Sequence, residues 1–325
     1  EEIAQRLRDW AEAAATPETL QLDLLPLLAD METKTGIKLA SQQREAVLQA
    51  CQKQLLIITG GPGTGKTTIV RVILEMFDAW RWKTLLASPT GRAAKRLAET
   101  TGRRAQTIHR LLEFGHEVDM GLHFRKNADN PLKADAIIID EVSMVDLRLF
   151  YHLLQAISPG TRLILVGDAD QLPPVGPGQP LSDLLKAGII PSVRLTEVFR
   201  QAESSLIVTN AHRINRGEFP KYNFANGDFF LIEEKETANI AGLVVDLVEH
   251  RLPSHYGLDP LEDIQVLSPL RRTKAGTEIL NRHLQGALNP PRPGREEVNY
   301  GGQVFRVGDK VMQTENDYDK QVFNG

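Results

Sequence analysis

Short apolar runs alternate with longer segments of helical periodicity through residues 39–192. Residues 55–59, 136–139 and 163–166 form three such runs, each with the length of a strand buried on both faces. Residues 67–77, directly after the first run, carry apolar side chains at the spacing of an amphipathic helix. This alternation predicts an α/β domain built on a parallel sheet.

The regions on either side of this domain have different patterns. Residues 1–38 are predicted to be helical, with Ile3, Leu7 and Trp10 on one face, and we interpret them as the tail of an N-terminal domain. Residues 193–325 are predicted to begin a second α/β unit.

Within this second unit, apolar runs at residues 229–232 and 264–267 predict strands. The spacing of apolar residues over 277–288 predicts a helix, which the proline-rich residues 290–294 would terminate.

A polar segment at about 115–130 interrupts the first domain. Val118, Leu122 and Phe124 flank the turn-forming residues 119–121, which is the pattern of a short hairpin. An ordinary surface loop is an equally good interpretation.

The first strand runs into the pattern G-x-x-x-x-G-K-T at residues 60–67. A strand, a glycine loop and a helix in this order form a phosphate-binding loop, because backbone N–H groups and the helix N-terminus face the phosphates. Lys66 would contact the β- and γ-phosphates of ATP, and the Thr67 hydroxyl would bind Mg²⁺. The residues expected to contact the nucleotide are Gly61, Pro62, Gly63, Thr64, Gly65, Lys66, Thr67 and Thr68.

Acidic and polar residues follow the other two strands. Asp140 and Glu141 come directly after residues 136–139, where Asp140 would bind Mg²⁺ and Glu141 would polarise the attacking water. Gln171 follows the third strand and could sense the γ-phosphate or position the attacking water without adding negative charge. Arg200 is the candidate arginine finger. Taken alone, an Asp-Glu pair after a strand is usually part of a solvated loop, and a lone arginine is usually a surface residue.

Three of these segments resemble motifs of the RecD-type branch of superfamily 1 helicases, also called the exodeoxyribonuclease V alpha-chain family. The matching segments are motif II at residues 137–144 (IIIDEVSM), motif III at 166–175 (VGDADQLPPV) and motif IV at 195–201 (LTEVFRQ). Residues 39–47, 88–94 and 107–111 resemble the Q motif and motifs Ia and Ib, and the resemblance covers about 39–325.

The resemblance implies RecA-like P-loop domains with parallel sheets, the second one incomplete. It also implies ATP- and Mg²⁺-dependent translocation on single-stranded DNA in the 5′-to-3′ direction, and unwinding at duplex junctions. Gln43 would read the adenine, and a hairpin at about 115–130 would separate the strands. The implied DNA-contacting residues are Pro89, Thr90, Gly91, Arg92, His109 and Arg271.

The ends of the chain predict a fragment of a longer helicase. The family's motifs V and VI lie beyond residues 323–325, and the chain begins at Glu1 without a methionine. A second RecA-like domain without these motifs would lack an arginine for the γ-phosphate, so we expect impaired ATP hydrolysis.

Composition and charge indicate which partners and which cellular compartment suit the chain. The net charge is −4, yet residues 81–110 contain eight basic residues and one acidic residue, which predicts a local phosphate-binding patch. A solvated helix face is the alternative. The single cysteine, Cys51, suits a reducing compartment. No apolar stretch approaches the length of a membrane span, and the first residues do not have the layout of a signal peptide. We therefore expect a cytoplasmic protein without membrane partners.

The sequence is also compatible with other functions. The chain could be a nucleotide-dependent DNA clamp or regulatory subunit within a recombination complex that also contains nuclease or helicase subunits. It could also be a P-loop ATPase that remodels protein. Among helicases, a Pif-like or phage Dda-like motor is the nearest alternative.

Overall fold

The computed structural model describes residues 2–12, 24–117, 121–197, 204–224 and 227–314. The predicted arginine finger Arg200 lies outside these residues, as do the expected hairpin turn at 118–120 and the C-terminal 315–325. The described chain forms two compact units, one ending at Phe229 and including Thr314, and the other comprising Phe230–Gln313.

A six-stranded parallel sheet is the centre of the first unit. Three of its strands coincide with the predicted apolar runs at 55–59, 136–139 and 163–166, because continuous apolar sequence suits strands that are covered on both faces. The six strands are β1 (Leu55–Gly60), β2 (Thr84–Ser88), β3 (Ala105–Thr107), β6 (Ala136–Ile139), β7 (Arg162–Gly167) and β8 (Ser192–Leu195). Their order in the sheet is β3-β2-β6-β7-β1-β8.

Alternate residues of each strand face two separate hydrophobic cores. In β1, Leu56 and Ile58 pack into one core, whereas Leu55 and Ile57 pack into the other. The first core is covered mainly by α2 (Leu24–Thr35), α3 (Ser41–Gln52), α4 (Lys66–Ala79) and α5 (Gly91–Thr101). The second is covered by α1 (Glu2–Glu12), α6 (Ile108–Leu111), α7 (Leu147–Gln155) and α8 (Pro180–Ala187).

The N-terminal helices pack directly on this domain. Leu7 and Trp10 of α1 are buried in the second core, and Ile3 is partly buried there. Arg6 donates hydrogen bonds to the Gln155 side chain at 3.1 Å and to the Ile157 carbonyl at 2.9 Å. The predicted helical N-terminal segment is therefore confirmed, and α1 and α2 cover opposite faces of the sheet.

Two further elements belong to the first unit. An antiparallel pair, β4 (Phe114–Glu117) with β5 (Gly121–Phe124), stands where the sequence suggested a hairpin. Beyond β8, the helix α9 (Leu206–Asn215) begins with Ser205, whose hydroxyl accepts a hydrogen bond from the Val208 N–H.

The second unit is mainly helical. It contains α10 (Thr237–Asp246), a π-helical turn (Leu247–Arg251), α11 (Leu252–Tyr256), α12 (Thr277–Leu288) and the antiparallel strands β9 (Glu297–Tyr300) and β10 (Gln303–Arg306). The helix α12 has the bounds that the apolar spacing predicted. Asp309 accepts hydrogen bonds of 2.6 Å from both Gln285 and Asn289, which fixes the segment after β10 against α12.

The prediction of two strands in this region is wrong. Residues 229–232 and 264–267 have no regular secondary structure. The side chains of Phe230, Ile232 and Leu267 are exposed. A short apolar run becomes a strand only when a neighbouring strand pairs with its backbone, and the described part of the second unit contains only the β9–β10 pair.

Candidate nucleotide site and nucleic-acid edge

The predicted nucleotide-binding segments lie at one edge of the sheet. The strands β6, β7 and β1 are neighbours and parallel, so the segments that follow them emerge side by side. The structure thereby brings together the glycine loop after β1, Asp140 and Glu141 after β6, and Gln171 after β7. This carboxyl edge is where open α/β sheets bind ligands.

The glycine loop has the backbone needed to surround phosphates. Gly63 and Gly65 have φ values of 76° and 81°, in the left-handed region that glycine adopts without strain. The Thr64 hydroxyl donates to the Gly61 carbonyl at 2.8 Å, and α4 begins at Lys66. Pro62 is exposed, while Thr67 and Thr68 are half-buried in the first turn of α4.

The Lys66 ammonium group is directed back at the loop itself. Its Nζ donates to the carbonyls of Gly60 at 2.5 Å and Gly61 at 3.1 Å. The same charge acts on Asp140, and it lowers the pKa of that carboxyl. The lysine is thus held at the loop and interacts electrostatically with Asp140, and an incoming phosphate would compete with the two carbonyls for it.

Asp140 is a strongly perturbed carboxyl group. Burial raises its pKa to about 6, and the Glu141 carboxylate acts in the same direction. The backbone N–H of Glu141, which donates to Asp140 Oδ1 at 3.0 Å, and the charges of Lys66 and Arg96 oppose that increase. A desolvated carboxyl with a raised pKa at a ligand-binding edge is typical of functional sites.

Glu141 has an unusual backbone conformation. Its φ is 57° and its ψ is 40°, which a residue with a β-carbon adopts at the expense of about 1 kcal/mol or more. The residue stands between β6 and the 3₁₀ turn Val142–Met144. The left-handed step turns the chain sharply, so that the buried Ser143 faces the segment after β7.

Gln171 is held by that serine. The Ser143 hydroxyl donates to Gln171 Oε1 at 2.9 Å, and the Gln171 N–H donates to the Asp168 carbonyl at 3.2 Å. Ser143 is not among the predicted site residues, although it lies three residues after Asp140.

Gln43, the expected adenine-reading residue, is buried and uses its amide within the protein. Its Oε1 accepts from the Ala40 N–H, and its Nε2 donates to the Thr64 carbonyl, both at 3.0 Å. The side chain thus connects the start of α3 to the glycine loop. Its neighbour Gln42 was not predicted, and its Oε1 accepts from the backbone N–H of Thr196 at 2.7 Å and from the hydroxyl at 3.1 Å.

The predicted DNA-contacting residues of the first unit lie at the same edge, on the outer strands. Thr90 caps the N-terminus of α5, and Thr107 caps that of α6. Ser88 of β2 and Thr107 of β3 are paired in register, so the two helix starts emerge side by side. Pro89 and Gly91 flank the first cap, and Arg92 is exposed in the first turn of α5.

His109 belongs to a cluster of rings at the base of the β4–β5 hairpin. Its ring centroid lies 5.6 Å from that of Phe114 and 5.8 Å from that of Phe124. Phe124 in turn lies 4.5 Å from the ring of His152 on α7. Burial lowers the pKa of His109, with Asp146 acting in the opposite direction. His109 therefore packs α6 against the hairpin, and Phe124 packs the hairpin against α7.

Arg271 lies in the second unit, apart from these residues in the chain. It is exposed, and its Nε lies 3.2 Å from Oε1 of Glu278. Arg200 falls outside the described residues.

Comparisons with known proteins agree on one family. A family model described as an AAA domain matches residues 43–177, and one described as the ATP-dependent RecD-like DNA helicase SH3 domain matches residues 280–325. The chain is 39% identical over 287 residues to the ATP-dependent RecD2 DNA helicase of Deinococcus radiodurans, an alignment that covers 88% of this chain. The chain belongs to the RecD-like helicase family.

Other relatives are consistent with this assignment. The chain is similar to the RecBCD enzyme subunit RecD of Mycolicibacterium smegmatis, with 33% identity over 87% of this chain. It is also similar to the ATP-dependent DNA helicase dda of Enterobacteria phage T4, with 37% identity over 39% of this chain and 30% of the phage protein. The chain spans 37% of the Deinococcus protein and 56% of the Mycolicibacterium protein.

The SH3 match covers α12 from Leu280 onwards, together with β9 and β10. It lies inside residues 193–325, which the sequence assigned to a second RecA-like domain.

Among the described residues, no helix is long and apolar enough to cross a membrane.

Proposed function

We propose that this chain is part of an ATP-dependent, 5′-to-3′ DNA helicase that moves on single-stranded DNA. The observation that carries the proposal is the set of groups at the ends of β1, β6 and β7, where Lys66, Asp140, Glu141 and Gln171 occupy neighbouring loops of one sheet edge. These are the charged and polar groups that nucleotide hydrolysis requires.

The residues present suit ATP and Mg²⁺. The loop glycines would give backbone N–H groups access to the phosphates, and Lys66 is held at this loop by the carbonyls of Gly60 and Gly61. Thr67 and Asp140 supply the hydroxyl and carboxylate oxygens that Mg²⁺ prefers. When bound, the ion would neutralise charge on the β- and γ-phosphates.

The protein's own groups would carry the chemical step. Glu141 would accept a proton from the attacking water, and Gln171 would orient that water without adding negative charge. Lys66 would offset charge on the transferred phosphoryl group, and Arg200 would do so from the segment after β8. Asp140 would serve as a metal ligand in its ionised form.

DNA would bind along the outer strands of the same edge. The Thr90 and Thr107 caps place two helix starts next to each other, and Arg92 adds a positive charge beside the first. The β4–β5 hairpin, fixed by His109 and Phe124, would serve as the strand-separating pin. Arg271 would contact DNA from the second unit.

We also propose a domain organisation for the chain. Residues 39–192 would form the first RecA-like ATPase domain, after a helical N-terminal tail at 1–38, and residues 193–325 would contain part of the second RecA-like domain. Repair and recombination are the proposed setting, with single-stranded DNA and duplex junctions as substrates and recombination-complex subunits as possible partners. We propose a cytoplasmic location.

The test is nucleotide affinity and ATP turnover, with and without single-stranded DNA. Lys66→Ala should weaken binding of a fluorescent ATP analogue at least about tenfold. The matched control Lys53→Ala removes an exposed lysine of the same domain and should bind normally. ATP turnover that single-stranded DNA does not change would favour a protein-remodelling ATPase. Nucleotide-dependent DNA binding without ATP turnover would favour a clamp.

A further inference from the structure

Gly61 is a glycine at a position where the phosphate-loop pattern accepts any residue. It occupies the first x of G-x-x-x-x-G-K-T. Gly63 and Gly65 have positive φ, but Gly61 is outside the set of positive-φ glycines. Its φ therefore does not require a residue without a β-carbon, and the neighbouring atoms decide whether a side chain fits there.

That neighbour is His212 of α9. A β-carbon at position 61 would lie 2.6 Å from Cε1 of His212, 3.4 Å from its Nδ1 and 3.5 Å from its Nε2. These three imidazole atoms are the nearest that such a β-carbon would meet. The ring thus lies directly against the Gly61 Cα, where only glycine leaves room for it.

A polar contact accompanies the packing. The Nε2 atom of His212 lies 3.3 Å from the Pro62 carbonyl oxygen, so the ring donates a hydrogen bond when Nε2 carries the proton. The two contacts together constrain consecutive residues of the loop. Pro62 itself has no N–H to bond and depends on its carbonyl for such an anchor.

The helix that carries His212 is itself well anchored. Asn210 is fully buried, and its side chain donates to the Lys221 carbonyl at 2.6 Å and accepts from the Lys221 N–H at 2.7 Å. At the start of α9, Asp228 accepts hydrogen bonds from the Ser205 hydroxyl at 2.5 Å and the Leu206 N–H at 2.7 Å. His212 therefore projects from a fixed support.

We propose that His212 is a positioning residue of the nucleotide-binding loop, holding residues 61–62 in the phosphate-binding conformation through ring packing on Gly61 and a hydrogen bond to Pro62. The inference rests on the proposed nucleotide-binding function. It also connects α9, which follows motif IV in the chain, to the loop that would contact the phosphates.

A double-mutant cycle tests the contact. Gly61→Ala should lower the melting temperature of the nucleotide-free chain, because the new β-carbon meets the ring. Adding His212→Ala should restore most of that loss. The control is Gly60→Ala, whose β-carbon would instead meet Thr64 Oγ1 at 2.7 Å and Leu195 Cβ at 2.8 Å, so His212→Ala should not rescue it. Additive melting-temperature changes at position 61 would overturn the contact.

Affinity for a fluorescent ATP analogue tests the positioning role. Gly61→Ala should weaken binding about tenfold, and the double variant should recover at least about fivefold of it. His212→Phe keeps a ring over Gly61 but loses the bond to Pro62, so it should retain the melting temperature and weaken binding about threefold. Unchanged affinity in both His212→Ala and His212→Phe would overturn the role.

Failure of the proposed function and failure of the His212 positioning role would give different results. A wild-type chain without measurable nucleotide binding would reject the proposed function, and with it the positioning role, while the melting-temperature cycle would still decide the contact. A wild-type chain that binds nucleotide, with affinity indifferent to His212, would reject the positioning role alone.

Discussion

Ser143 donates a hydrogen bond of 2.9 Å from its hydroxyl group to Oε1 of Gln171. Ser143 is buried in the 3₁₀ turn after the acidic pair, whereas Gln171 lies on the exposed segment after β7. The bond joins motif II to motif III across two neighbouring strands. A change at the nucleotide would therefore reach both segments together.

Ser143→Ala is expected to lower ATP turnover in the presence of single-stranded DNA about fivefold, because Gln171 loses the bond that orients its amide, worth about 1 kcal/mol. Nucleotide affinity should stay unchanged, since neither side chain belongs to the glycine loop. Turnover and affinity of Ser143→Ala, Gln171→Ala and the double variant form the measurement. If the double variant loses the product of the two single effects, the two residues act independently and the coupling is absent.

Asp140→Asn is expected to stabilise the nucleotide- and metal-free protein above pH 6. Burial raises the pKa of Asp140 from 3.8 to about 6, so the folded state holds a proton that the unfolded state has released between these values. Stability from this group is greatest below pH 4 and declines as the pH rises through about 6, by up to about 3 kcal/mol.

The measurement is the melting temperature between pH 4 and pH 8 in EDTA. Asparagine retains the oxygen that accepts the Glu141 N–H and removes the buried charge. Wild-type protein should lose stability relative to Asp140→Asn as the pH rises, whereas exposed Asp129→Asn should follow the wild type. Parallel curves for wild type and Asp140→Asn would contradict the assignment.

Gln42→Ala is expected to reduce ATP turnover about fivefold while leaving nucleotide affinity within about twofold. Gln42 Oε1 accepts two hydrogen bonds from Thr196, four residues before the proposed finger Arg200, and their loss would free that segment. Gln42→Glu keeps an acceptor oxygen and should retain most of the turnover. Equal losses in both variants would indicate that the hydrogen bonds do not matter.

Phe124→Ala is expected to uncouple strand separation from ATP hydrolysis. The Phe124 ring centroid lies 4.8 Å from that of Phe114 on the paired strand and 4.5 Å from that of His152 on α7, so its removal should loosen the proposed pin. Unwinding of a forked duplex should fall at least about tenfold, with DNA-stimulated turnover within about twofold of wild type.

The control for the hairpin is Phe219→Ala, which removes an aromatic ring that is 88% exposed in the same unit. It should leave both activities unchanged. A parallel decline of unwinding and turnover in Phe124→Ala would instead assign the ring cluster to the stability of the ATPase domain.

Elements whose signal is local could be predicted from the sequence. The strand Ala136–Ile139 and the helix Thr277–Leu288 have the predicted bounds. The glycine loop was recognisable because strand, glycines and helix follow one another within a few residues. The runs at 229–232 and 264–267 failed for the opposite reason, since a strand also needs a partner that an apolar run cannot specify.

The sequence by itself determined the α/β class, the family and the set of residues at the ends of β1, β6 and β7, because alternating apolar periodicity and loop glycines are properties of neighbouring residues. Only the tertiary structure decided which side chains hold that site. Gln42 meets Thr196 across 154 positions and His212 meets Pro62 across 150. Such pairs are brought together by strand order and helix packing, for which a single sequence carries no local signal.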